Sequence, residues 1–153
     1  MPSDRIRRTG GKNGSKRHLL VDGRGVPLSI VVTGANKHDS TQIDPVLWAK
    51  VKEPAERVEE NLCADAGYLG KEIRKSMEDF GYTPHVKGRK VEAEAKRQEG
   101  FKPRRWVVEA CHSWMNNFRK LHVRYEKSKK SYLALCMLAA AIIALNKIGI
   151  IYG

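Results

Sequence analysis

The sequence predicts an α/β domain, and three observations carry that prediction. Two short β-rich runs, His18–Val21 and Pro27–Thr33, flank the turn-forming stretch Asp22-Gly23-Arg24-Gly25. Strand-like and helix-like segments then alternate as far as Val86, and the last third of the chain repeats apolar residues at helical spacing. At 153 residues the chain has the size of one domain and can bury a core without staples.

The first 17 residues are polar and Gly-rich, with Arg5, Arg7, Arg8, Lys12, Lys16 and Arg17, and read as a basic arm. They carry no apolar stretch of the kind a signal peptide needs. Asp-Gly supplies the positive φ angles of a tight hairpin turn, so the two β-rich runs are expected to pair antiparallel. Leu28, Ile30 and Val32 alternate with Ser29, Val31 and Thr33, giving one apolar and one mixed face. A helix is expected next, with Asp44 as N-cap and Pro45 at its first position. Asn61 to Ala64 reads as a buried strand ending at Asp65, followed by Ala66-Gly67-Tyr68-Leu69-Gly70. Lys71 to Phe80 shows Ile73, Met77 and Phe80 at helical spacing, with Gly81 as the stop. Tyr82 to Val86 is the last strand expected. A long helix is expected from Arg104 to about Lys127, its core stripe being Trp106, Ala110, Trp114, Phe118, Leu121 and Tyr125. A final helix, about Ser131 to Lys147, holds 13 apolar residues in a row from Leu133 to Leu145. That run falls short of the ~18 residues that span a bilayer, so it reads as a core helix and no membrane partner is expected.

Composition narrows the function. Lys plus Arg number 29 against 17 Asp plus Glu, a formal net charge of +12. Such an excess points to a polyanion such as nucleic acid, or to an anionic membrane surface. Cys63, Cys111 and Cys136 are few, odd in number and widely spaced, with no CxxC, which excludes a zinc ribbon and fits reduced thiols in a cytoplasm. The motifs of nucleotide-binding loops, serine hydrolases and zinc proteases are all missing.

Two carboxylates stand out by position. Asp65 ends a strand at a Gly-containing turn, where side chains project into functional crevices. Glu109 shares a polar helix face with Arg105, His112 and Asn116, opposite the expected aromatic stripe. A carboxylate among basic and amide groups can hold Mg²⁺ and reach phosphate, although either acid also reads as plain surface charge. Asp39 fits a loop ligand or an Asx-type turn. His112 on that polar face touches DNA or a carboxylate, or faces solvent. His18, His85 and His122 have no partner that spacing identifies. The basic residues from Lys87 to Arg105 read as a DNA contact or as a solvated loop.

The blocks SKRHLLVDGRGVPLSIVVTGANKHDS, ADAGYLG and RRWVVEACHSWMNNFRKLHVRYEKS, in that order, resemble the catalytic domain of bacterial insertion-sequence DDE transposases. The resemblance runs from about Asp4 to Lys147. It implies a ribonuclease-H-like mixed sheet flanked by helices, and DNA transposition by Mg²⁺-dependent strand cleavage and transfer. Asp65 matches the second catalytic aspartate, Glu109 the catalytic glutamate, and Arg105 the arginine of the R-x3-E pattern. Asp65 and Glu109 would be the metal ligands. Lys87, Arg89, Lys90, Arg104, Arg105, Arg119 and Arg124 would contact DNA. The family's first aspartate lies on a first strand upstream of the segment matching SDRIRRTGGKNGSKRH, and neither Asp4 nor Asp22 replaces it. Ala110 stands where the family often has a basic residue.

The expectation is therefore a basic arm, 1–17, and a partial catalytic domain, 18–153, lacking its first central strand. Such a fragment holds Mg²⁺ weakly and is nearly inactive alone. Its partners are DNA and a full-length transposase or upstream-frame product, in the bacterial cytoplasm at the nucleoid. The alternatives are a non-catalytic DNA-binding or transposase-regulating fragment, and a basic RNA-binding protein, which leaves the three blocks unexplained.

Overall fold

The structure, a computed structural model, describes residues 14–51, 58–86, 88 and 105–149. Strand β1 (Ser15–Val21) pairs antiparallel with β2 (Pro27–Gly34), in register from Ser15 opposite Gly34 to Val21 opposite Pro27. The hairpin is therefore as expected, but β1 starts three residues before His18. Ser15, Lys16 and Arg17 are strand residues, not the end of an arm.

The turn works differently from the sequence reading. Asp22 Oδ1 accepts from the backbone N–H of Arg24 at 2.8 Å and of Val26 at 2.9 Å. The positive φ falls on Gly25, at 86°, rather than on Gly23. A Cβ at Gly25 would also stand 3.0 Å from the Trp114 ring. Gly25→Ala is expected to lower unfolding free energy by ~1–3 kcal/mol, the usual cost of left-handed strain. An unchanged urea midpoint would contradict that.

After β2, a 3-10 turn (Asp39–Gln42) leads into helix α1 (Ile43–Trp48). Its N-cap is Gln42, and Pro45 is its third residue, not its first. Asp44 is not the cap because its carboxylate accepts a hydrogen bond from the Ser76 hydroxyl of the next helix instead. Strand β3 (Glu60–Ala64) follows, then a 3-10 turn (Ala66–Tyr68), helix α2 (Lys71–Asp79) and strand β4 (Tyr82–Val86). Strands β3 and β4 pair parallel, with α2 as the crossover. Leu62 is buried as expected, whereas Cys63 is exposed because it points to the other side of the strand. Gly81 ends α2 with φ 84°.

Helix α3 (Arg105–Asn116) stops early, and the short α4 (Arg119–His122) follows after Phe118 takes an extended conformation. The expected single helix to Lys127 is thus two pieces, broken at Asn116-Asn117, a pair of poor helix formers. Its buried stripe is also shifted by one residue. Val107, Cys111 and Met115 are in the core, while Trp106 is 60% and Tyr125 74% exposed. Helix α5 (Lys129–Ile148) ends on Gly149 in the left-handed conformation. Tyr132, Cys136, Ala139 and Ile143 bury one side of it, and Met137, Leu138, Leu145 and Ile148 are exposed on others. By length and composition α5 alone, among the described residues, is long and apolar enough to cross a membrane.

The described strands form two separate sheets, β1–β2 and β3–β4. Helices cover the hairpin on both faces, which is the α/β arrangement. Ile30 and Val32 meet Met115, Leu121, Tyr132, Cys136, Ala139 and Ile143 on one side. A second cluster joins Leu20 of β1 to Val46 and Leu47 of α1, Leu62 of β3, Met77 of α2 and Tyr82 of β4. The mixed face of β2 is the one toward α1: Ser29, 4% exposed, donates to the Val46 carbonyl at 2.6 Å.

Candidate active site

Asp65 follows the last residue of β3 and caps the 3-10 turn, its Oδ1 accepting from Gly67 N–H at 2.8 Å. A side chain at Gly67 would crowd that oxygen, since a Cβ there would stand 2.9 Å away. The strand end and the glycine two residues on therefore fix an exposed carboxylate in one orientation.

A polar seam runs from this carboxylate across the hairpin. The two 3-10 turns lie against each other, so that Asp39 and Asp65 both act on Tyr68. Burial first, then the negative charges of Asp39 and Asp65, push the Tyr68 hydroxyl up to about 12. Asp39 is held from β1: Lys16 Nζ lies 2.6 Å and His18 Nδ1 3.3 Å from Asp39 Oδ1. The other ring nitrogen of His18 meets the Thr33 hydroxyl at 2.7 Å. Asp39 can only accept, so a neutral ring would carry its proton on Nδ1 and leave Nε2 to accept from the Thr33 hydroxyl.

On the opposite face of β1 a separate polar contact reaches α3. Arg17 donates to the Asn116 side chain, and its charge acts on Cys111 and His112 of α3 and on Tyr132 and Cys136 of α5. Burial pushes the Cys111 thiol up to about 11, which makes it a poor nucleophile. Arg17 Nη1 and Glu126 Oε2 are both buried without a hydrogen-bond partner among the described residues.

The histidines give this region an acid sensitivity. Burial lowers the pKa of both His18 and His112 below 6.5; Asp39 opposes this at His18, and Arg17 adds to it at His112. The unfolded chain therefore binds more protons than the folded one once the pH drops below about 6.5. Stability is expected to fall steadily between about pH 6.5 and pH 5, read as a falling melting temperature. His112→Gln should reduce that slope. A melting temperature independent of pH across this range would contradict the assignment.

Of the sequence-derived candidates, Arg105 opens α3 and Glu109 is exposed on it, one turn before His112. No hydrogen bond or ion pair links Glu109 to Asp65 among the described residues. Lys87, Arg89, Lys90 and Arg104 lie outside the described residues. Arg119 is exposed on α4. Arg124 is turned inward, donating to the carbonyls of Glu126 and Lys127 and to the Ser15 hydroxyl. No group of three or more His, Cys, Asp or Glu side chains gathers to hold a metal among the described residues. Spacing missed the Asp39–His18–Tyr68 link to Asp65, because strand pairing and turn packing create it. His38-Asp39, inside the first of the three resembling blocks, was the available signal.

Residues 3–144 match the family described as Transposase DDE domain. Over 151 residues the chain is 33% identical to the putative transposase for insertion sequence element IS402 of Burkholderia cepacia, covering 95% of this chain and 67% of that relative. No solved structure matches the chain.

Proposed function

The chain belongs to the Transposase DDE domain family, and on that premise we propose that it is the catalytic region of an insertion-sequence DNA transposase, acting on DNA in the bacterial cytoplasm. One observation carries the reading: Asp65 stands exposed and fixed at a strand end by its own turn, and it acts together with Asp39 on Tyr68. In this reading Asp65 and Glu109 are two of the catalytic carboxylates, and Arg105 binds phosphate beside Glu109. The sheet is ribonuclease-H-like, with one strand belonging between β1 and β3. Two separate two-stranded sheets joined by the Leu20–Leu62 cluster support that arrangement.

Transposases of this family generally use a divalent metal, and Mg²⁺ held by carboxylates would supply charge neutralisation at phosphate. The described residues do not fit such a group by themselves, since no three candidate ligands converge. The proposal is accordingly that the chain alone is catalytically incomplete. It becomes competent only with a further carboxylate, from a full-length transposase or an upstream-frame product.

Residues of this chain have two tasks in that scheme. The Asp65 carboxylate is kept aimed by the Gly67 N–H. The basic surface, with Arg119 and the lysines Lys120, Lys127, Lys129 and Lys130 after it, attracts the DNA backbone. Binding to random duplex DNA is expected to be electrostatic. Neutralising roughly five phosphates gives a slope of about −4.5 in log affinity against log salt, at ~−0.9 per phosphate. Titrations at several salt concentrations measure it. A flat dependence, or strong preference for one sequence, would remove this account of DNA binding.

A further inference from the structure

A further polar surface lies where α3 hands over to α4. Asn116, Arg119, Lys120, His122, Val123 and Tyr125 line a concavity of about 540 Å³. Its lining holds two permanent cations and a histidine but no carboxylate, so it selects an anion. It also presents an aromatic ring, because Tyr125 is 74% exposed.

That exposure is enforced by the fold. The chain from Val123 to Lys127 has no regular structure, yet Arg124 braces it from within. The Arg124 guanidinium lies 5.1 Å from the Tyr132 ring centre, and Nε donates to the Glu126 carbonyl at 2.9 Å. The same group reaches the Lys127 carbonyl and the Ser15 hydroxyl. With Arg124 turned inward, its neighbour Tyr125 projects outward over the cations of α4. A large apolar ring held in water gains nothing for stability.

We propose that this concavity is a subsite for an unpaired nucleotide of DNA, with Tyr125 stacking on the base and Arg119 and Lys120 holding the adjoining phosphates. The subsite rests on the DNA-binding reading above and refines it. Stacked bases inside a duplex offer only their edges, whereas an unpaired base offers the face that an exposed ring can cover. A volume of about 540 Å³ suits a small ligand and not a double helix.

The test compares a labelled thymine oligonucleotide with a blunt duplex, by fluorescence anisotropy on the full chain and on Tyr125→Leu and Tyr125→Phe. The ratio of single-strand to duplex affinity is expected to fall about tenfold in Tyr125→Leu, the size of one lost base stack, and to be restored in Tyr125→Phe. A circular dichroism melt confirms that both variants fold. An unchanged ratio in Tyr125→Leu overturns the subsite and leaves the DNA-binding reading standing, as does a wild-type chain that binds duplex but no single strand. Equal loss in the Phe and Leu variants assigns the effect to the hydroxyl and overturns stacking. A wild-type chain that binds neither form fails the DNA-binding reading, and the subsite with it.

Discussion

Purified chain incubated with Mg²⁺ and DNA carrying the element's ends is expected to give no nicking above background. Two-metal phosphoryl transfer needs carboxylates on both ions, and losing one ligand set removes several kcal/mol of charge stabilisation. At ~1.4 kcal/mol per factor of ten, the deficit is on the order of a thousandfold or more. Asp65 and Glu109 are the acids proposed for that task, and no group of three candidate ligands forms among the described residues. Supplying a full-length transposase with an intact set of carboxylates is the complementary arm. Mg²⁺-dependent nicking by the chain alone, lost in Asp65→Ala, would overturn the incomplete-site reading while confirming Asp65. Nicking that survives Asp65→Ala would remove Asp65 from the site altogether.

The second large effect concerns the sheet. Strand β1 pairs only with β2, and β3 only with β4, among the described residues. A two-stranded sheet is marginal in isolation. The outer edges of these two-stranded sheets offer N–H and C=O groups beyond the strand pairs described, each costing on the order of 1–3 kcal/mol where it is buried and unsatisfied. Several such groups rival the stability of a whole domain. Such edges also invite another chain to pair with them. The chain alone is therefore expected to melt broadly, below roughly 60 °C, and to elute as associated species in size-exclusion chromatography. What holds it is the packing of α3, α4 and α5 on β2, where Met115 and Cys136 are fully buried. A sharp cooperative melt above that temperature, from a clean monomer peak, would show that the sheets need no further strand.

Much of the architecture was legible because it is written locally. Alternation in Leu28 to Thr33 marked β2 and its two unlike faces, and the structure gives Ile30 and Val32 to α5 and Ser29 to α1. Ile73 and Met77 marked the buried side of α2, with Gly81 as its end. Charge alone pointed to a polyanion, nucleic acid or an anionic membrane surface. The three blocks placed the chain among insertion-sequence transposases, and the family match agrees.

Tertiary structure decided what local pattern left degenerate. Helix α3 carries apolar residues on two neighbouring stripes, Trp106-Ala110-Trp114 and Val107-Cys111-Met115, about 100° apart. Periodicity fits both; in the structure Val107, Cys111 and Met115 are buried, Trp114 packs at the edge of the core and Trp106 is left in water. Cations likewise look alike in a sequence. Arg17 and Arg124 turn inward because Asn116, Tyr132 and the carbonyls of Glu126 and Lys127 offer them partners, while Arg119 stays exposed. Asp39 and Asp65, 26 residues apart in the chain, both act on Tyr68 because the turns that carry them pack together. Composition and spacing set which side chains the chain could use; packing partners, distant in sequence, set which way each one points.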